Sequence, residues 1–386
     1  MIRIDEIYNN TFWPWFKHNK TGTRLFFCDP PGNTSPDALF NHGTDDIIEN
    51  NYVFFHDQEP VELDLFEPLF DEVKTRNNDL GAYFALGIAP HVVLPCDQRR
   101  ANLFDMPAGH VIVSERGERV EQLTKKYGWT SHYYFYHGWA ALDWYRGYDR
   151  TYLIPRAQLR KPTRTFMSPN RIIGGQRDHR VLFLYNVFKN RLQDNHISAP
   201  RICPHEQTDI ASIAQQYQDV YPDIVQVLTQ ADLPRVFEGE ATQQMSSYEL
   251  TNFAEAQDSL VYVATETVYW GQRQHLTEKT FKAIALEMPF VLVAPQHSLK
   301  YLREYGFRTF SPLIDETYDE IADPFERLEA VAQVLTEIQA RSAAAREELW
   351  QQLLPRVQHN YSHFYSGAFA DVLWQELTAM LAEFKQ

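Results

Sequence analysis

The fold is decided by Ser259-Leu-Val-Tyr-Val-Ala-Thr265, Leu276-Thr-Glu-Lys-Thr-Phe-Lys-Ala-Ile-Ala-Leu-Glu287 and Pro289-Phe-Val-Leu-Val-Ala-Pro295, read as strand, helix and strand. The outer runs are apolar, β-branched and short, as buried strands are. The middle run opens with Thr277 in the N-cap position and acidic Glu278 in the first turn. Phe281, Ile284, Ala285 and Met288 then recur at helical spacing, giving one apolar face, and Pro289 ends the helix. A strand-helix-strand unit implies a parallel sheet, and such sheets bind ligands beyond the carboxyl ends of their strands. Thr277, Glu278 and Lys279 stand at that edge. A helix N-terminus presents free N–H groups to an anion, and Lys279 adds a full charge.

The Thr-Glu-Lys-x-Phe-x-Ala-x-Ala-Leu run and the Pro-Phe-Val-Leu-Val-Ala-Pro run resemble the donor-binding segment of GT-B glycosyltransferases of the α1,3-fucosyltransferase type. Similar segments occur in uncharacterised tailed-phage proteins. The resemblance covers the C-terminal half and hardly touches the N-terminal half. It implies an α/β GT-B fold, with two Rossmann-like domains facing across a cleft and C-terminal helices crossing back to the first. It also implies a nucleoside-diphosphate sugar as donor, UDP or GDP, with Glu278 on the ribose hydroxyls and Lys279 on the diphosphate. Enzymes of this kind need no metal, and the chain has no Asp-x-Asp resembling a metal-dependent motif.

The 386 residues suit two domains, expected at 1–155 and 164–350, with 351–386 as helices packing back on the first. Aromatics make up 14%, including 21 Tyr and 25 Phe, which favours deep cores. No apolar run reaches membrane-spanning length. The opening Met-Ile-Arg-Ile-Asp-Glu lacks the apolar core of a signal peptide. Cys28, Cys96 and Cys203 form neither a metal pattern nor a disulfide frame, so the sequence predicts a cytoplasmic protein, in a host cytoplasm if phage-encoded.

In the N-terminal half, Phe12-Trp-Pro-Trp-Phe16 predicts an aromatic cluster, most simply in a core. Strands are expected at Arg24–Asp29, Tyr52–Phe55, His91–Pro95, His110–Ser114 and Ser131–His137, with a helix starting at Ser114. The second strand runs directly into His56-Asp-Gln-Glu-Pro60. A transferase needs one base to accept a proton from the acceptor hydroxyl, and His56, Asp57 and Glu59 are the candidates. Asp57 equally suits a helix cap near Pro60. His137 and Trp139, at another strand end, are weaker candidates.

Net charge is −15, yet from Arg156 to Arg191 the chain carries nine Lys or Arg against Asp178 alone. Pro155 and Pro162 interrupt an irregular linker over 150–163. Beyond it, strand Thr165–Ser168, a loop containing Gly174-Gly175 and a helix capped by Asp178 together predict an anion site. Asn170, Arg171, Arg177 and Arg180 would surround a diphosphate, since the arginine fork matches phosphate oxygens. By the same resemblance one of the three arginines neutralises the leaving group. Phe307-Arg-Thr-Phe310 is expected to be the last strand and Pro355 to break the C-terminal helices, while Glu316, Tyr318 and Asp319 are expected either to line the cleft or, more simply, to be solvated caps. The acceptor is either a hydroxylated base in phage DNA, guided by the basic run, or a cell-surface or lipid-linked glycan, which suits the acidic net charge better. A non-catalytic nucleotide-sugar-binding module is the alternative outside catalysis.

Overall fold

A computed structural model of the chain describes residues 3–19, 24–27, 52–58, 60–61, 110–146, 155–204, 206–237 and 250–384. The chain divides into two compact units. Ala140–Leu373 forms a central unit, and Ile2–Trp139 with Trp374–Gln386 forms an N-terminal unit. Both are mixed α/β bodies on parallel four-stranded sheets.

In the N-terminal unit the strands are β1 (Arg24–Phe27), β2 (Tyr52–His56), β3 (His110–Val113) and β4 (Thr130–Tyr133). They lie side by side in chain order, each parallel to the next. The strand expected at His91–Pro95 lies outside the described residues. Phe12 packs edge-on against Phe55 and Tyr134, with ring centres 5.0 Å away in each case, so the N-terminal aromatic cluster serves the core. Trp139 is fully buried and meets Trp374 at 4.7 Å. At the other end of this unit Phe384 stacks on His132 at 3.8 Å. The helix expected from Ser114 begins later, at Glu118, after Gly117 in an extended, positive-φ conformation with no side-chain cap. Ser114 and Glu115 are instead buried at the end of β3, and the Glu115 carboxylate accepts the Val61 N–H at 2.9 Å.

The central unit contains β5 (Arg164–Pro169), β6 (His196–Ser198), β7 (Ser259–Thr265) and β8 (Phe290–Val293). Their order across the sheet is β8-β7-β5-β6, all parallel. Every residue of β7 and β8 is buried, as expected for a sheet covered on both faces. The order matters for function. From β5 the chain builds outward to β6, then returns to the other side of β5 to lay down β7 and β8. The carboxyl ends of β5 and β7 are therefore a topological switch point, where open α/β sheets leave a crevice. Among the described residues the N-terminal sheet has no such reversal.

Helix Glu278–Ala285 starts as the sequence predicts, with the Thr277 side chain accepting from the Lys279 N–H. Its Phe281 packs on Phe369, Phe307 and Phe364 at 5.3, 5.8 and 5.9 Å. Burying a side chain of that size contributes about 2–3 kcal/mol. Glu287 closes the helix at φ 50° and turns its carboxylate to Arg156 at 2.6 Å and the Ala157 N–H at 2.7 Å. Residues 155–163, expected as an irregular linker, are thus fastened to the unit.

Three further expectations are corrected. Phe307–Phe310 is not a strand: Asn360 accepts the Arg308 N–H at 2.7 Å and donates to the Arg308 carbonyl at 2.8 Å, so a helix side chain satisfies this backbone. Pro355 does not break the helix, which runs from Ala343 to Tyr365 with Leu353, Leu354 and Val357 buried around the proline. Asp319 and Glu316 are not solvated caps. Asp319 is buried and accepts the Leu299 N–H at the start of helix Ser298–Glu304, while Glu316 accepts from the Phe310 N–H. Burial raises the Asp319 carboxyl to about 6, against the opposing pull of the Leu299 and Lys300 N–H groups and Arg303.

Candidate functional site

The switch point of the central unit gathers most of the polar residues singled out from the sequence. Asn170, the first residue beyond β5, is fully buried and donates to the Ser168 hydroxyl at 2.9 Å. Its side-chain oxygen accepts from the Thr265 hydroxyl at 2.8 Å, tying the end of β5 to the end of β7. Asn170 therefore joins the two strand ends.

Glu266, the next residue along β7, is the organising group, and nothing in the sequence reading singled it out. It is 0% exposed. One carboxylate oxygen accepts from the Thr277 hydroxyl at 2.5 Å and the Thr277 N–H at 3.2 Å. The other accepts from the Thr280 hydroxyl at 2.6 Å. The strand end thereby fixes the first turn of helix Glu278–Ala285. A lone acid immediately after a mostly apolar strand was the available signal.

Lys279 extends from this turn with its side chain 26% exposed. Its ammonium donates to the Thr267 hydroxyl at 3.0 Å, the Thr277 hydroxyl at 3.2 Å and Glu278 Oε1 at 2.8 Å. Three oxygens hold the charge in place while leaving a face to solvent. Glu278 is 10% exposed at its side chain, and its backbone carbonyl accepts from the Tyr145 hydroxyl at 3.4 Å.

The arginines divide. Arg180 is buried, and its guanidinium donates to the carbonyls of Ile172 and Thr265 at 2.8 Å and of Glu266 at 3.2 Å. Burial, and after it the charge of Arg177, lowers it to about 10 against the opposing pull of Glu266 and Glu278. Arg180 is thus spent on carbonyls, closing the β5–helix loop against the end of β7, and supplies field more than contact. Arg171 and Arg177 are half-buried, and among the described residues their side chains have no hydrogen bond or ion pair. Arg180 and Lys279 end on adjacent residues, Glu266 and Thr267, so cations from two separate turns meet at one strand end.

Asp178 precedes helix His179–Lys189 but does not cap it with its side chain. Its carboxylate accepts from Trp270 Nε1–H at 2.7 Å and from the Tyr217 hydroxyl. The two rings are parallel within 7°, their centres 6.2 Å apart, and Phe325 flanks Trp270 at 5.7 Å. The acid thus orients a half-buried aromatic pair beside the arginines. His179 is buried, stacks on Tyr269 at 5.0 Å and donates to the Glu266 carbonyl at 3.1 Å. Burial holds its pKa well below the ordinary histidine value, so the ring is neutral.

The basic run is largely consumed within the fold. Arg156 pairs with Glu287, Arg164 donates to the Asp194 carbonyl, and Lys189 lies 3.4 Å from Asp223. Arg160 is buried against the carbonyls of Pro155 and Glu287.

In the N-terminal unit, His56 and Asp57 lie at the carboxyl end of β2. His56 is buried and neutral, its pKa lowered by burial, and donates to the Pro60 carbonyl at 3.2 Å. Asp57 is 2% exposed and accepts from the Tyr8 hydroxyl at 2.5 Å. Burial, then the Asp57 charge, drives the Tyr8 phenol well above its ordinary pKa, so it stays protonated and donates. Glu59 lies outside the described residues. His137 donates to the Gln58 carbonyl at 2.9 Å. Tyr8, Glu115 and Tyr134 join this strand-end cluster, though none was singled out from the sequence.

Among the described residues no group of His, Cys, Asp and Glu could hold a metal ion, and no helix is long and apolar enough to cross a membrane. Comparison with family models, curated proteins and solved structures gives no match to this chain.

Proposed function

We propose that this protein is a glycosyltransferase of the GT-B type, taking its sugar from a nucleoside diphosphate such as UDP or GDP. One observation carries the reading. At the switch point of a parallel sheet, where such sheets receive ligands, a partly exposed, three-oxygen-anchored Lys279 lies beside buried Arg180. Arg171 and Arg177, with guanidiniums uncommitted among the described residues, flank the same loop. Departure of a nucleoside diphosphate concentrates negative charge on its terminal phosphate, and preorganised cations favour that step most strongly where water is scarce.

In this scheme Lys279, Arg171, Arg177 and the N-terminus of helix Glu278–Ala285 hold the diphosphate, and Glu278 takes the ribose hydroxyls. Arg180 acts through its field and by fixing the loop. The acceptor oxygen bonds to the anomeric carbon as the bond from that carbon to the phosphate oxygen breaks. The diphosphate leaves with the electron pair, and the hydroxyl proton passes to a carboxylate. Asp57 is the candidate for that proton, with Tyr8 positioning it, and Glu59 is the other carboxylate. His56 is a poorer base because burial lowers its pKa.

Internal pairing of Arg156, Arg160, Arg164 and Lys189 favours a glycan or other small hydroxyl acceptor over DNA. A DNA acceptor would need those charges for phosphates, and its binding would weaken steeply with salt.

The test is a thermal-shift panel of UDP-, GDP-, CMP- and ADP-sugars, since a ligand of the folded state raises its stability. One nucleotide class is expected to shift the melt. Asp57→Asn is then expected to keep that shift while losing transfer. A flat panel would remove the proposal, and a shift with no transfer to any hydroxyl would leave a binding module.

A further inference from the structure

The loop between β5 and helix His179–Lys189 already has an anion seated on it. A Cβ built at Gly174 would stand 2.6 Å from Glu206 Oε2 and 3.0 Å from its carboxyl carbon. One built at Gly175, where φ is 58°, would stand 3.0 Å from the other oxygen, Oε1. One carboxylate thus lies across two successive glycines, an oxygen near each: a Cβ at Gly174 would push it aside, and one at Gly175 would press against it. Glycine at both positions is what lets the backbone approach a negatively charged group so closely.

The turn carrying Glu206 does not itself require that contact. Cys203 N–H donates to the Thr208 carbonyl at 2.8 Å, and Gln207 N–H to the Cys203 carbonyl at 3.0 Å, which closes the turn through the backbone. The carboxylate gains a further bond from the buried Cys203 thiol, at 2.5 Å to Oε2. A thiol is a weak donor, and a more highly charged anion competes with the carboxylate for the same cradle. On either side of the glycines stand Arg171 and Arg177, and the loop opens at the switch point described above.

We infer that Glu206 is an internal stand-in for a phosphate: in the free protein its carboxylate occupies the glycine cradle, and a diphosphate group binds there only by displacing it. The inference rests on the proposal that this strand end receives a diphosphate, and it adds a competitor that sets the affinity. Displacement moves the Glu206 side chain off the loop and exposes the glycine backbone to the incoming phosphate oxygens. No covalent bond is made or broken in the protein, so the exchange is reversible and its cost falls wholly on binding.

The experiment is calorimetric titration of inorganic pyrophosphate into the full-length wild-type chain, Glu206→Gln, Glu206→Ala and Gly174→Ala. Removing the competing charge is expected to tighten binding about three- to tenfold in both Glu206 variants, the scale of one like charge at a partly solvated site. Gly174→Ala, whose methyl group fills the cradle, is expected to weaken it at least as much. Glu206→Gln keeps the side chain's shape, so it still reports if Glu206→Ala folds poorly. Pyrophosphate binding in both Glu206 variants that is no tighter than in the wild type would overturn the stand-in and leave the diphosphate site intact. Absence of pyrophosphate binding in every protein would overturn both.

Discussion

Glu266→Gln is the substitution whose consequences follow most directly from the geometry. Wild-type Glu266 receives three donors while fully buried: Thr277 O–H at 2.5 Å, Thr277 N–H at 3.2 Å and Thr280 O–H at 2.6 Å. The amide keeps the volume, so no cavity forms, but one acceptor oxygen becomes an NH2 group. Turning that group toward Thr280 is the cheaper choice, because the Thr280 hydroxyl can rotate to accept while the Thr277 N–H cannot. All three charge-assisted bonds then become neutral ones, each losing about 1 kcal/mol or somewhat less. The expected destabilisation is about 2 kcal/mol, which for a unit of this size lowers its melting midpoint by roughly 4–8 °C. Glu266→Met strands all three donors and is expected to cost more. Calorimetry or circular-dichroism melts read both. A Glu266→Gln shift under about 1 °C would refute the claim that this carboxylate holds the helix start.

Asp319 offers a pH test. Its folded value near 6 lies above the ordinary 3.8, so the folded state binds the proton more tightly than the unfolded chain. The associated stability is therefore complete at low pH and is lost as pH rises through about 6, by at most about 3 kcal/mol. Asp319→Asn is expected to flatten that fall in urea midpoints between pH 4 and 7, and an unchanged slope would contradict the assignment. Asn360 donates to and accepts from the backbone of Arg308, so Asn360→Ala is expected to cost about 2 kcal/mol in urea unfolding. Asn360→Asp, though isosteric, sets a carboxylate against the Arg308 carbonyl and is expected to be at least as damaging. A neutral Asn360→Asp would show that the carbonyl bond contributes little. Tyr8→Phe is expected to destabilise the N-terminal unit by about 1.5–3 kcal/mol, through loss of the bond to the Asp57 carboxylate, and a melt unchanged within error would refute it.

The parts of the fold most legible in the sequence are those where local signals agree. Helix Glu278–Ala285 was marked by its cap, its period and its proline, and β7 and β8 by unbroken apolar runs. Phe307–Phe310 misled because two phenylalanines bracketing polar residues look like a strand whether the backbone partner is another strand or Asn360. At the site, Lys279 and Asn170 fall where the strand ends place them. Arg180 shows the limit: a guanidinium that binds phosphate and one that closes a loop on carbonyls read alike in sequence. Asp178 makes the same point, since an acid before a helix reads as a cap until Trp270 and Tyr217, distant in the chain, come to meet it. Glu266 was hidden because its partners, Thr277 and Thr280, lie across a loop. The strand order that creates the switch point is a tertiary fact with no local signature.

The central claim is that the carboxyl ends of β5 and β7 receive a diphosphate. Isothermal titration of UDP and GDP into the wild-type protein and Lys279→Met, at low and at moderate salt, meets it directly. Saturable binding of at least one nucleotide is expected, weakened on the order of tenfold or more in Lys279→Met and reduced by salt. Binding of equal strength in the two proteins, or none in either, would contradict it.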